Sequence, residues 1–134
     1  MSERKGSTPM AEYIVSEDLP KPGGPYSHVA LAGNMVWTAG FGPADPETGA
    51  VPDGIEAQTD ATIDNVERAL RAAGLELSDV VKVTAHLQHL HEHFAAYNRV
   101  YEKRFTGSRP VRTTVGSDLM NILVEIDVVA VKPG

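Results

Sequence analysis

The chain has 134 residues, 42% of them hydrophobic and 22% charged, which suits one soluble domain with a buried core. A net charge of −6 argues against a surface built to hold nucleic-acid phosphates or an anionic membrane. With no cysteine, disulfides, thiolate nucleophiles and cysteine-ligated zinc sites are excluded.

Residues 1–9 read as a flexible polar tail, with a single domain over residues 10–134. Glu3, Arg4 and Lys5 have no apolar run behind them, so no signal peptide is expected. No stretch of 18 apolar residues is present to span a membrane, and the expected compartment is the cytoplasm. "SHVALAGNMVWTAG" (27–40) places two β-rich arms around Gly33-Asn34 and reads as a hairpin. "PADPETGAVPDG" (43–54) is dense in Pro, Gly and Asp, so it predicts a surface loop.

Ile63, Val66, Leu70 and Ala73 then fall on one helical stripe, with Gly74 just beyond to stop it. "SDVVKVTAHLQ" (78–88) alternates as a strand, with Val81, Val83, Ala85 and Leu87 opposite Lys82, Thr84, His86 and Gln88. Phe94, Tyr97, Tyr101 and Phe105 mark a second helix, ended by Gly107. Two strands close the chain. "PVRTTVG" sets Val111, Thr113 and Val115 against Arg112 and Thr114, and "ILVEIDVVAV" sets Ile122, Val124, Ile126 and Val128 against Glu125, Asp127 and Val129.

This order makes an α+β domain with helices on one sheet face. The other face is expected to carry Arg112, Thr114, Glu125, Asp127, Lys82 and Thr84 among apolar residues. Such a mixture suits a subunit interface or a wet cleft between subunits.

"HLQHLHEHF" (86–94) holds four of the five histidines: His86, His89, His91 and His93. Here the chain passes from a strand through a turn, with His91 and His93 assigned to that turn. His89 and His93 would meet only if one helix ran through both, which the strand pattern opposes. The H-E-x-x-H zinc pattern is absent, so no metal is expected.

"GGPYSH" (23–28), "AGNMVWTAG" (32–40), "DPETGAVPDGIEAQTDATIDNVERAL" (45–70), "AAGLELSDVVKVTAHL" (72–87), "FAAYNRVYEKRF" (94–105), "RPVRTTV" (109–115) and "VEIDVVAV" (124–131) stand in unbroken order. Together they resemble the YjgF/Rid family of reactive-intermediate (enamine/imine) deaminases, also called the endoribonuclease L-PSP family. The resemblance implies a chorismate-mutase-like fold, a mixed six-stranded sheet with two helices on one face. It also implies a homotrimer with sites between subunits, and cofactor-free hydrolysis of 2-imino acids to 2-oxo acids and ammonia.

By motif, Arg112 matches the arginine that holds the substrate carboxylate, and Glu125 the glutamate that positions the water. Tyr26, Gly40 and Thr114 match pocket-lining positions, and His91 stands where an asparagine near the pocket is common. Thr114 replaces a frequent cysteine, Phe41 a common glutamine, and the "GSDLMNIL" loop lacks the usual proline.

The residues themselves suit this chemistry. A guanidinium forks onto a carboxylate with two parallel bonds, and an electrophilic iminium carbon needs mainly a placed water and a base. Read without the family, Arg112 is equally an interface ion-pair partner of Glu125 or Asp127, and Tyr26 ordinary hairpin packing. Two other functions belong beside the deaminase: a non-catalytic trimer that binds small carboxylates, and a ribonuclease or translation inhibitor. The acidic balance weighs against the last.

Overall fold

A computed structural model describes residues 10–107 and 109–133, so the expected tail over residues 1–9 lies outside the described residues. Strands β1 (Glu12–Ile14), β2 (Val29–Ala32) and β3 (Met35–Thr38) come first, then helix α1 (Ile55–Ala72) and strand β4 (Val80–Leu87). Helix α2 (Leu90–Arg104) and strands β5 (Val111–Gly116) and β6 (Val124–Val131) complete the chain. The sheet order is β1-β2-β3-β6-β4-β5. Among the described residues only β4 and β5 run parallel, as their connection through α2 requires; every other neighbouring pair is antiparallel.

The mixed sheet with two helices is the α+β architecture expected. Alternation along β4 and β6 turns Val83, Ala85, Leu87, Val124, Ile126 and Val128 inward, where they are buried with Ile63, Val66 and Leu70 of α1. Gly74 adopts φ 78° just past α1, the left-handed conformation that lets a helix end sharply. Among the described residues no helix is long and apolar enough to cross a membrane.

Strand β1 is absent from the periodicity reading because three residues are too short to show a period. Its return into the domain is held by His28, which is 1% exposed. The Ser16 N–H donates to His28 Nδ1 (2.9 Å), so the ring is neutral and its Nε2–H donates to the Pro20 carbonyl (2.8 Å).

Two expectations are corrected. Val111, Thr113 and Val115 do not face the core: they are exposed, and Arg112 and Thr114 point to the helix side. Register decides this, since Arg112 lies opposite buried Val83 and Thr114 opposite buried Ala85. Alternation alone cannot tell which set of an edge strand turns inward.

The helix start is the second. His89 caps α2, and His91 and His93 belong to its first turn, because the His93 N–H already donates to the His89 carbonyl (2.9 Å). The His89 and His93 rings therefore do meet, edge to face at 5.6 Å.

Arg104 ties the two helices together. Its guanidinium donates to Asp60 (2.6 Å), Asp64 (2.9 Å) and Glu67 (2.7 Å) of α1. Removing it would leave three like charges converging on nothing. Arg104→Met, which keeps the aliphatic volume, is expected to lower unfolding free energy by about 1–2 kcal/mol. Urea midpoints at unchanged slope measure this, and high salt should shrink the difference.

Candidate functional site

Beside Glu125 the pairing of β3 with β6 is interrupted. Trp37 pairs with Val129, but Ala39 and Gly40 turn aside before Phe41 rejoins Ile126 through two backbone bonds (2.8 and 2.9 Å). The gap opens into a cleft of about 520 Å³ lined by Tyr13, Tyr26, His28, Trp37, Gly40 and Glu125.

Gly40 is there for space. A Cβ at that position would lie 2.6 Å from a carboxylate oxygen of Glu125 and 3.0 Å from its Cδ. Tyr26 forms the outer wall, half exposed, with its hydroxyl accepting the Gly23 N–H (3.0 Å). The cleft thus offers one carboxylate among aromatic walls, with room for a water beside it.

Arg112 stands elsewhere. It lines a second cleft of about 380 Å³ between α2 and the edge strand, with Asn98, Tyr101, Glu102, Arg109 and Pro110. Its guanidinium donates to Asn98 Oδ1 (2.7 Å) and lies over the rings of Phe94, Tyr97 and Tyr101, at 5.8, 5.4 and 4.5 Å from their centroids. These faces stabilise the cation without neutralising it, and the amide fixes one edge of the fork.

Burial raises the hydroxyls of both tyrosines, that of Tyr101 to about 12, so the wall of this cleft stays uncharged. Thr114 joins through Tyr97, whose hydroxyl lies 3.2 Å from its Oγ1.

The residues singled out from sequence therefore fall into three places. Tyr26, Gly40 and Glu125 share one cleft; Arg112 lines the other, with Thr114 behind it against Tyr97; His91 is exposed and lines neither. The expected common face for Arg112 and Glu125 is not found: they lie on opposite faces of one sheet. Asn98 and the aromatic cage were missed, since Tyr97 and Tyr101 at helical spacing read as core. That reading is half right, because both are buried.

The open sheet face shows Tyr13 69% and Val111 67% exposed, along with Trp37 and Val115. Among these is a polar cluster in which His86 Nδ1 lies 2.7 Å from Ser117 Oγ and its Nε2 lies 3.9 Å from Asp127. Among the described residues no three His, Asp or Glu side chains are grouped to hold a metal.

Residues 16–132 match the family model described as endoribonuclease L-PSP. The chain belongs to the endoribonuclease L-PSP (YjgF/Rid) family. It is 41% identical over 126 residues to a RutC family protein of Pyrococcus horikoshii, covering 92% of this chain and 99% of that one. It is 36% identical over 128 residues to the 2-iminobutanoate/2-iminopropanoate deaminase of Escherichia coli, again covering 92% and 99%. Among solved structures, that of Escherichia coli TdcF with bound serine superposes with a TM-score of 0.85 at 31% identity, covering 91% and 99%. The family resemblance and the six-stranded α+β sheet inferred from the motifs thus hold.

The close approach at Gly40 has a direct consequence. Gly40→Ala is expected to fold with a loss below about 1 kcal/mol, because the far end of Glu125 can swing away. A crystal structure of the variant should show the carboxylate displaced from the cleft wall, and urea unfolding gives the stability.

Proposed function

We propose that this family member hydrolyses small 2-imino acids to 2-oxo acids and ammonia, in sites completed between the copies of a homotrimer. The observation that carries the reading is the separation of Arg112 from Glu125. Each lines its own open cleft on its own sheet face, so one chain cannot present both to one small substrate. A second copy laid against the open face would cover Val111, Val115 and Trp37 and bring one cleft toward the other. The name of the Escherichia coli deaminase relative supports the chemistry.

In this reading the Arg112 guanidinium, oriented by Asn98 and the three rings, takes the substrate carboxylate through two N–H donors. Glu125 accepts a proton from water as the oxygen bonds to the iminium carbon. That proton then passes to the nitrogen. As the C–N bond breaks, Glu125 takes the proton of the new hydroxyl and the C=O bond forms. Ammonia leaves and carries that proton off as ammonium, giving the 2-oxo acid. The balance needs water alone. Tyr26 and Gly40 shape the cleft around Glu125, Thr114 supports the cage through Tyr97, and His91 is assigned to the rim contributed by the neighbouring copy.

A second reading, a trimer that binds small carboxylates without turnover, has one observation in its favour: the TdcF structure is described with bound serine, which is not an imine. Ribonuclease action finds no support in a net charge of −6.

Two substitutions separate these readings. Arg112→Ala should cost roughly 2–5 kcal/mol of substrate binding, seen mainly as a raised KM. Glu125→Gln keeps shape and removes the base, so kcat should fall on the order of 10²–10⁴-fold. The assay generates 2-iminopropanoate in situ with an amino-acid oxidase and follows semicarbazide trapping against the spontaneous rate. No acceleration by the unmodified protein would leave only the binding reading.

Assembly is tested separately. Sedimentation at micromolar concentration should give a homotrimer, and a stable monomer would remove the shared site.

A further inference from the structure

The cleft that holds Arg112 contains a second guanidinium. Arg109 lines it together with Asn98, Tyr101, Glu102 and Pro110. Arg112 lies over the Tyr101 ring, 4.5 Å from its centroid, and Arg109 lines the same cleft as that ring. Among the described residues neither has a carboxylate within ion-pairing distance, whereas Arg71, Arg99 and Arg104 all do and Arg68 donates to Asn65 Oδ1 instead. The chain carries 18 acidic residues against 12 basic ones, so two uncompensated guanidinia in one cleft run against its composition. Glu102 and Arg109 are both exposed in this cleft. Solvent therefore screens the opposition of the one to an anion and the attraction of the other alike, while half-buried Arg112 is screened less.

We infer that this cleft selects 2-imino acids bearing a second carboxylate on the side chain, with Arg112 holding the carboxylate next to the reacting carbon and Arg109 the distal one. The inference rests on the proposed role of Arg112. One guanidinium, already bonded to Asn98 along one edge, has a fork for a single carboxylate. A distal carboxylate therefore needs the second arginine. A substrate ending in methyl gives Arg109, which is exposed and stays hydrated, no partner and so gains nothing from it. Discrimination is then built from the attraction to the distal carboxylate, which the apolar competitor lacks.

The test compares imines formed in situ from aspartate and from alanine by the matching amino-acid oxidases. The unmodified protein should favour the aspartate-derived imine in kcat/KM. Arg109→Ala should lower that preference on the order of 10- to 100-fold, chiefly through KM, and Arg109→Lys should restore part of it. Glu102→Gln should raise the preference. A ratio of the two substrates that Arg109→Ala leaves unchanged overturns the inference.

Binding of the stable 2-oxo acids, 2-oxoglutarate against 2-oxobutanoate, is measured by calorimetry on the same variants. If imines are not hydrolysed faster than in buffer but 2-oxoglutarate still binds through Arg109, the proposed reaction fails and the subsite stands. Equal binding of the two oxo acids, or binding of neither, overturns the subsite.

Discussion

The register of β5 against β4 is the constraint on which the rest of the molecule depends. Among the described residues these are the only parallel neighbours in the sheet, and their alignment sets Arg112 beside Val83 and Thr114 beside Ala85. A shift of one residue would send Arg112 to the open face and bring Val111 and Val115 under α2. In the observed register the guanidinium enters the aromatic stripe of α2, and the valines of β5 are left outward. One backbone alignment therefore creates both the caged cation and the apolar face that lacks a cover. In the proposed assembly, the face that a second copy would bury is the one that carries Glu125.

The two clefts treat their charges in different ways. Arg112 is half withdrawn from water, with ring faces and an amide oxygen around its guanidinium and tyrosines that burial holds neutral. Among the described residues no carboxylate pairs with it, so its charge is left for the proposed substrate carboxylate. Glu125 faces an open cleft, and its position depends on what is missing beside it: Gly40 has no side chain to push it away. A strand pairing interrupted for two residues supplies that space without costing the sheet its continuity, since Phe41 and Ile126 resume the ladder at once.

The open face is not uniformly apolar. Lys82 donates to Thr113 (2.7 Å), and His86 lies between Ser117 and Asp127. Burial raises the Asp127 carboxyl, while His86 and Lys82 pull it partly back. A second copy covering this face would enclose a polar network in which Lys82 and His86 are bonded to Thr113 and Ser117 while Asp127 lies 3.9 Å from His86. Such a network adds little stability but restricts how two copies can be laid together, because a slipped arrangement would strand a charge against a valine.

The sequence by itself determined the elements. Ile63, Val66 and Leu70 announced α1, Gly33-Asn34 the hairpin, and alternation announced β4, β5 and β6, because spacing of apolar residues follows from helix and strand geometry alone. Seven motifs in order were enough for the family. The three-residue β1 escaped, being shorter than any period, and the start of α2 was set late because His89, His91 and His93 carry no apolar signal.

Only the tertiary structure decided which side of β5 faces inward, and so that Arg112 and Glu125 lie on opposite faces. It also decided that Tyr97 and Tyr101 are both core and cage, and that Arg109 shares a cleft with Arg112. Those facts depend on strand register and helix docking between residues far apart in the chain. Local patterning holds no record of either, since a strand alternates identically whichever way it is turned.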